Sequence, residues 1–573
     1  MSRFTLGNRF ALLAAAAMVT TSLTGCLNHP LKPVELEKAQ TKDSQLQLTV
    51  NKDVDILFVI DNSGSMGEEQ ANLAANFGAF IGVLEDEEVE ANYRIGVTTT
   101  DNGNPWCPPG QTTPEGGNLV LSPCTGRLND FLFGTDVDVQ ALACTDICTL
   151  SDAELEIQDS ITAVDPDPKP HPWLENIEGQ KNIPEGTSTT EAFQCFGPQG
   201  VNGCGFESQL ESMYLALVRA VSNGEDNYGF LRDAAILAIV QVTDEADCSY
   251  NKDWSSIFDE AGSKVFWSDP ESPFPTSAVC WNAGVECTGD PSSFDECHSA
   301  NYDENGNVGA SDDNAVLHPV TRYTGLVQDL ETNKQALNPD QEVIVALIGG
   351  VDNDGEAFYG EVGLTDPGFQ ESFGIGPGCT APNPFEDPMI EGDELVEAVP
   401  PVRLKEFTDH FSPGNLFSVC NPDYAPALEA VANAIRDQIQ PACYTQCAKD
   451  VDESTDILDA ECTVEENAPG AATVSLEECL RDDNGYVIDP GTNDYTMPSD
   501  DVNVCFATLV DIGGQTPDPN DDMSMECLDL NYNLEFSIAR RPGFPAAGGT
   551  SISATCSLSE FATLDCPDIG VGG

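Results

Sequence analysis

The stretch that most narrows the choice of fold is Val54 to Ile60, VDILFVI. It is almost continuously apolar and built of strand formers, a pattern expected of a strand buried on both faces rather than on one. Such a strand needs covering layers above and below it. The run then stops abruptly at Asp61 and gives way to NSGSM, so a buried strand ends in an acid, small hydroxyl residues and glycine. Further runs of the same kind occur at 93–100 (YRIGVTTT), 234–242 (AAILAIVQV), 342–350 (EVIVALIGG) and 415–419 (NLFSV).

Amphipathic helices are predicted between and after these runs. Leu73, Phe77, Phe80 and Leu84 share one helical face, as do Leu210, Met213, Leu217 and Val221. The same spacing joins Val320, Tyr323, Val327 and Leu330, and Leu428, Val431, Ile435 and Ile439. Strands alternating with helices predict an α/β fold with a doubly wound, mainly parallel sheet over residues 51–440. Three long stretches near 102–205, 251–317 and 351–402 interrupt it. They are rich in Pro, Gly, Asp and Cys and are expected to be ordered loops held by disulfides instead of a core. Residues 441–573 read as a small Cys-rich β domain, with β-like runs at 533–541 and 550–558.

Acidic residues outnumber basic ones 97 to 23, giving a formal charge of −74. A surface of that sign repels nucleic acid and attracts divalent cations. Residues 1–25 read as a leader, with Arg3 and Arg9 followed by a short apolar run, and end at LTGC, Leu23 to Cys26. That tetrapeptide closely resembles the lipobox of bacterial lipoproteins. The resemblance implies cleavage before Cys26, its acylation by palmitate-like chains, and, with Leu27 next, an outer-membrane anchor. Residues 26–50 would then be a lipid-anchored spacer. Setting Cys26 aside leaves an even number of the 21 cysteines in a chain expected to leave the cytoplasm, which predicts disulfides.

In open α/β sheets, ligands sit beyond the carboxyl ends of the strands. Asp61, Ser63 and Ser65 fall there, and one carboxylate with two hydroxyls at alternate positions can aim oxygens at a single hard cation. DILFVIDNSGSM resembles the first strand and metal-site loop of the von Willebrand factor A (VWA) domain, whose metal-ion-dependent adhesion site (MIDAS) uses a DxSxS motif. In that family a threonine from a second loop and an aspartate from a third complete the site. IVQVTDEADCS supplies the third loop, with Asp244 as the implied fourth ligand. The second loop departs from the pattern: NGCGFESQLESMYLAL offers Phe206, Glu207 and Ser208 where the threonine should stand, so that Glu207 or Ser208 would take its place. The resemblance implies Mg²⁺ or Mn²⁺, or Ca²⁺ if Glu207 adds its charge. It also implies a protein or extracellular-matrix partner that offers a carboxylate.

Asn301–Asp312, NYDENGNVGASD, resembles an EF-hand loop, with Asn301, Asp303, Asn305, Asn307 and Asp312 as calcium candidates. VDNDGEAFYGE, from Val351, is a second acidic loop that follows a strand. No GxSxG elbow, HExxH helix or GxxxxGK[ST] loop is present, so an enzyme is not expected. The expected function is metal-dependent binding or adhesion by a lipid-anchored envelope protein. Two other readings stay open, a structural scaffold with a vestigial metal loop and a carboxylate-dependent hydrolase.

Overall fold

The computed structural model describes residues 43–569 except 49–51, 87–88, 90, 108–111, 135–136, 178, 337–340, 361–366, 383–394, 440–441, 453–457, 468–472, 483–484, 490–493, 500, 512–519, 542–543, 545–550 and 568. The expected leader, Cys26 and residues 27–42 of the expected spacer lie outside the described residues. Residues 43–573 make one compact unit.

Its centre is a seven-stranded mixed sheet. In chain order the strands are β1 (Asp53–Ile60), β2 (Asn92–Thr99), β3 (Leu174–Ile177), β4 (Gln180–Lys181), β5 (Ile236–Val242), β6 (Ile344–Gly349) and β7 (Leu416–Ser418). Their spatial order is β7-β6-β5-β1-β2-β3-β4. The strands from β7 through β2 run parallel, whereas β3 and β4 add an antiparallel edge. The mainly parallel sheet expected from sequence is thus a mixed one, with five parallel strands and an antiparallel edge. Its five parallel members are the five predicted apolar runs, and the antiparallel pair comes from the first insertion.

Successive residues of β1 face opposite sides, and each side has a core. Val54, Ile56, Phe58 and Ile60 join α1 (Gly67–Leu84), α2 (Thr189–Phe196) and α6 (Ala425–Arg436). Leu57 and Val59 join α3 (Gln209–Ala220), α4 (Val320–Gln335) and α5 (Val402–Phe411). Phe58 is fully buried against Phe77, Phe80 and Phe193, a burial that contributes about 1.5–3 kcal/mol for such a side chain. Asp55, the one acid within the run, is buried and paired with Arg232, whose Nε donates to its Oδ1 at 2.8 Å. One member of the predicted helical faces falls away, Val221, which caps α3 and is exposed; Ile439 lies past the end of α6 but still packs against the core.

The first insertion does not rely on disulfides alone. A capping box of Ser188 and Glu191 starts α2, and Phe193 from that helix stacks on Phe77 with ring centroids 3.5 Å apart. Phe131 and Phe196 enter the same core. Ten disulfides join the cysteines after Cys26. The eight cysteines from Cys443 onward pair among themselves.

The C-terminal region builds two four-stranded sheets with their own apolar cores. One contains Val504–Leu509 and Glu535–Arg540 as antiparallel neighbours. In the other, Ser551–Ser557 lies between Cys462–Asn467 and Asp43–Leu48. The last part of the expected spacer is therefore a strand of the C-terminal sheet.

Candidate functional site

The direction of chain progression reverses between β1 and β5, the place where open sheets form a crevice at their carboxyl edge. β1 ends into Asp61, β2 into Thr100 and Asp101, and β5 into Thr243, Asp244 and Glu245. The Asp61 amide donates to Val242 O at 2.9 Å, which keeps the loop in register with β5.

Asp61 is fully buried, and both of its carboxylate oxygens accept hydrogen bonds. Oδ1 takes the Ser63 amide at 2.8 Å and the Thr100 hydroxyl at 3.3 Å, and Oδ2 takes the Thr243 hydroxyl at 2.5 Å. The Ser63 and Ser65 hydroxyls are 3.3 Å apart, and Ser65 also bonds to Asp244. Ser63 is buried whereas Ser65 is exposed. The structure thus brings Asp61, Ser63, Ser65 and Asp244 together, with Ser65 at the mouth.

The loop that carries them is held by Gln70 of α1. Its Nε2 donates to Asp61 O at 2.7 Å and to Gly200 O at 2.8 Å, and its Oε1 accepts the amides of Gln199 and Gly200. Gly203 donates to Asn62 O at 2.7 Å, and a Cβ at this glycine would meet Asn62 Oδ1 at 2.3 Å. Only glycine allows the two loops so close.

Glu207 and Ser208 precede α3 and have different roles. The Ser208 hydroxyl donates to Cys248 O at 2.9 Å, and its amide donates to Thr100 O. It does not cap α3. The first amides of that helix go to the loop after β5, Leu210 N to Asp247 Oδ1 and Glu211 N to Ser249 Oγ. Asp247 is in turn paired with the buried Arg403 at 2.9 Å. Glu207 instead turns two carboxylate oxygens into the interior, and neither has a hydrogen-bond partner.

Two more buried acids join the cluster, Glu69 on α1 and Glu245 after Asp244. Burial, then the Glu245 and Asp61 charges, hold Glu207 well above the usual carboxylate range. Burial and the charges of Asp244 and Glu68 do the same to Glu69, and burial with Asp244 and Asp61 to Glu245. Asp244 is pushed up to about 7 by burial and the Asp61 charge. Burial raises Asp61 too, against the pull of its hydrogen bonds. Among the described residues, none of these five carboxylates forms an ion pair with a lysine or arginine. Glu207 Oε1 and Oε2, Asp244 Oδ1, Glu69 Oε2 and Gln209 Oε1 are buried without a partner. Repelling, unpartnered oxygens of this kind suit a hard divalent cation, which would balance their charge and satisfy their lone pairs.

Glu69, Glu245 and Thr100 were not singled out from sequence. Position was the available signal, because Thr100 and Glu245 lie within three residues of a predicted strand's carboxyl end.

The other acidic loops are accounted for by their own turns. Asp303 Oδ1 accepts the amides of Asn305 and Asn307, and the Asn307 side chain donates to both Asp303 oxygens. Asn305, Asn307 and Asp312 are exposed, and a strand at Ser293–Ser299 rather than a helix precedes the loop. Asp352 holds the same turn, accepting from the amides of Asp354 and Glu356. Residue 361 of that loop lies outside the described residues. A further acidic group, Asp511, Asp521 and Asp522, has carboxylate oxygens within 4.8 Å of one another.

No family model matches the chain, and no curated protein matches it. Among solved structures it is similar to the pilus adhesin SpaC from Lactobacillus rhamnosus GG in its open conformation. That overlap has 7% identity and a TM-score of 0.26, covering 89% of this chain and 39% of that one. Another form of the same adhesin gives 8% identity, a TM-score of 0.23 and coverage of 89% and 40%. The chain spans about two fifths of the length of these adhesin chains, and overlaps at these scores carry no argument about its function.

Proposed function

We propose that the chain is a metal-dependent binding protein of the cell envelope, an adhesion or interaction module of VWA type rather than an enzyme. The observation that carries this reading is a set of five buried carboxylates that repel one another around the DxSxS loop, several of their oxygens lacking any partner. Asp61, Ser63, Ser65 and Asp244 would hold Mg²⁺ or Mn²⁺. Glu207 stands where the VWA threonine is expected, and its added charge would favour Ca²⁺. Ser208 is committed to Cys248 and is left out of the set. A bound divalent ion would supply a Lewis-acidic position for a carboxylate of a protein or matrix partner. The chain's own part is to orient the oxygens: Thr243 and Thr100 fix the Asp61 carboxylate, and Gln70 fixes its backbone. The lipobox-like LTGC would attach the protein through Cys26 to the outer membrane.

The test is calorimetric titration of the protein with MgCl₂, MnCl₂ and CaCl₂, beside the Asp61→Ala variant. Saturable binding lost in the variant is expected. No binding of any of the three ions at millimolar concentration would overturn the reading and favour a scaffold.

A further inference from the structure

Residues 160–172 of the first insertion, SITAVDPDPKPHP, double back on themselves in a segment that is thinly held. Ser160 and Lys169 exchange backbone hydrogen bonds at 3.0 and 3.2 Å, and the Thr162 amide donates to Asp165 O at 2.9 Å. Pro166, Pro168, Pro170 and Pro172 have no amide to give, and no cysteine lies between 149 and 194 to staple the turn. Its root is His171, which is 3% exposed and stacks on Trp173 with centroids 4.4 Å and planes 14° apart. Trp173 is fully buried and belongs to the core that holds Leu57, Val59 and Phe230.

Neither ring nitrogen of His171 has a hydrogen-bond partner, and both are buried. A neutral imidazole leaves one N–H and one lone pair unsatisfied there; an imidazolium would bring a second N–H and a full charge to the same place. The charged groups around it are Lys169 and Asp165 from its own segment, Arg94 from β2 and Glu175 from β3. Both acids are already committed. Glu175 Oε2 accepts from Arg94 Nε at 3.2 Å and from Trp173 Nε1 at 3.0 Å, and Asp165 pairs with Lys169. The Arg94 guanidinium lies 5.4 Å from the centroid of the Trp173 ring on which His171 stacks. Burial, ahead of the Glu175 charge that opposes it, holds the imidazole below its ordinary value of 6.5.

We propose that His171 is an acid-sensitive catch: neutral, it docks the 160–170 segment against Trp173, and on protonation it leaves the stack and lets that segment open. The docked state binds fewer protons at His171 than the open one, so docking is complete above pH 6.5 and is lost as pH falls below it. The buried carboxylates act with the opposite sign, since acid relieves their repulsion. The catch is therefore read locally, at the segment it holds. Opening uncovers Trp173 and the Arg94–Glu175 pair at the antiparallel edge of the sheet.

The experiment is amide hydrogen exchange on the full-length protein in EDTA between pH 7.5 and 5.5, read at residues 160–169 and corrected for the intrinsic pH dependence of exchange. The amides of β1 serve as the internal reference, and His171→Phe, which keeps a ring on Trp173 but cannot take a proton, is measured beside the wild type. Protection of the segment relative to β1 is expected to fall by up to about tenfold in the wild type and to stay level in His171→Phe. Constant protection in the wild type, or an equal fall in the variant, would overturn the proposal. A second measurement needs no variant: the imidazole titration of the wild type by NMR. A His171 that titrates below 6.5 as the segment loses protection supports the catch, and one that titrates at or above 6.5 overturns it.

Discussion

The Thr243 hydroxyl donates to Asp61 Oδ2 at 2.5 Å, and its oxygen accepts from Gln209 Nε2 at 2.8 Å. This contact fixes the carboxylate at the end of β1 from the end of β5. Thr243→Val keeps the volume and removes the donor. Groups that orient a ligand in this way are worth about 10–100-fold in metal affinity, so Mg²⁺ affinity by calorimetry is expected to fall within that range. An unchanged affinity would show that the Asp61 carboxylate needs no such support.

Glu207 is a buried acid with two unpartnered oxygens, repelled by Glu245, Asp61 and Asp244. Glu207→Gln removes an ionisable group that the metal-free protein buries at a cost, by keeping its proton or by holding its charge among like charges. The melting temperature in EDTA is therefore expected to rise, while the further increase on adding Ca²⁺ or Mg²⁺ shrinks because a ligand is gone. If the metal-induced shift stays at its wild-type size, Glu207 is no part of the ligand set.

The carboxylate cluster also fixes a pH dependence. Raised native pKa values mean that the folded protein binds more protons than the unfolded chain, so stability falls as pH rises. For Asp244 the penalty is absent below the ordinary value of 3.8, where both states are protonated, and complete once pH has passed about 7. Asp61, Glu69, Glu207 and Glu245 act in the same direction. In EDTA the melting temperature should decline between these limits. Saturating Mg²⁺ should flatten the decline, since bound metal favours the ionised forms. A metal-free protein that grows more stable over this range would contradict the cluster's electrostatics.

Gln70 uses both ends of its carboxamide to join the backbone at Asp61 to that at Gly200. Gln70→Leu leaves buried amides and carbonyls unpaired, each costing about 1–3 kcal/mol. A loss of stability of several kcal/mol in urea unfolding is expected. Metal affinity is expected to weaken as well, because the DxSxS loop loses its tie to α1. Loss of stability with full metal affinity would separate loop anchoring from metal binding.

The sheet's five parallel strands were legible because strands buried on both faces must be apolar throughout, and β1, β2, β5, β6 and β7 sit where those runs are. β3, with sequence LENI, was not legible. Its Glu175 is buried with Arg94 paired to it at 3.2 Å and Trp173 Nε1 donating to the same oxygen at 3.0 Å, and the distant arginine is a partner that local pattern cannot reveal. At the candidate site, Asp61, Ser63, Ser65 and Asp244 were visible because a strand ending in oxygen side chains is a local signal. Glu69 was not, since an acid in the first turn of α1 reads as a favourable helix-dipole contact on the surface. Its electrostatic neighbours are distant in the chain, among them Tyr424, whose hydroxyl is held protonated by burial and then by the charge on Glu69.

The pairing of Asp43–Leu48 with Ser551–Ser557 has a temporal consequence for a chain that emerges vectorially. Asp43 faces Ser557 across about five hundred intervening residues, and loops of such length delay the contacts that close them. The central sheet can assemble before residues 551–557 have been made, but Asp43–Leu48 must wait until that partner strand arrives. Until then its edge stays unpaired, so the order of synthesis sets the order in which the two sheets close.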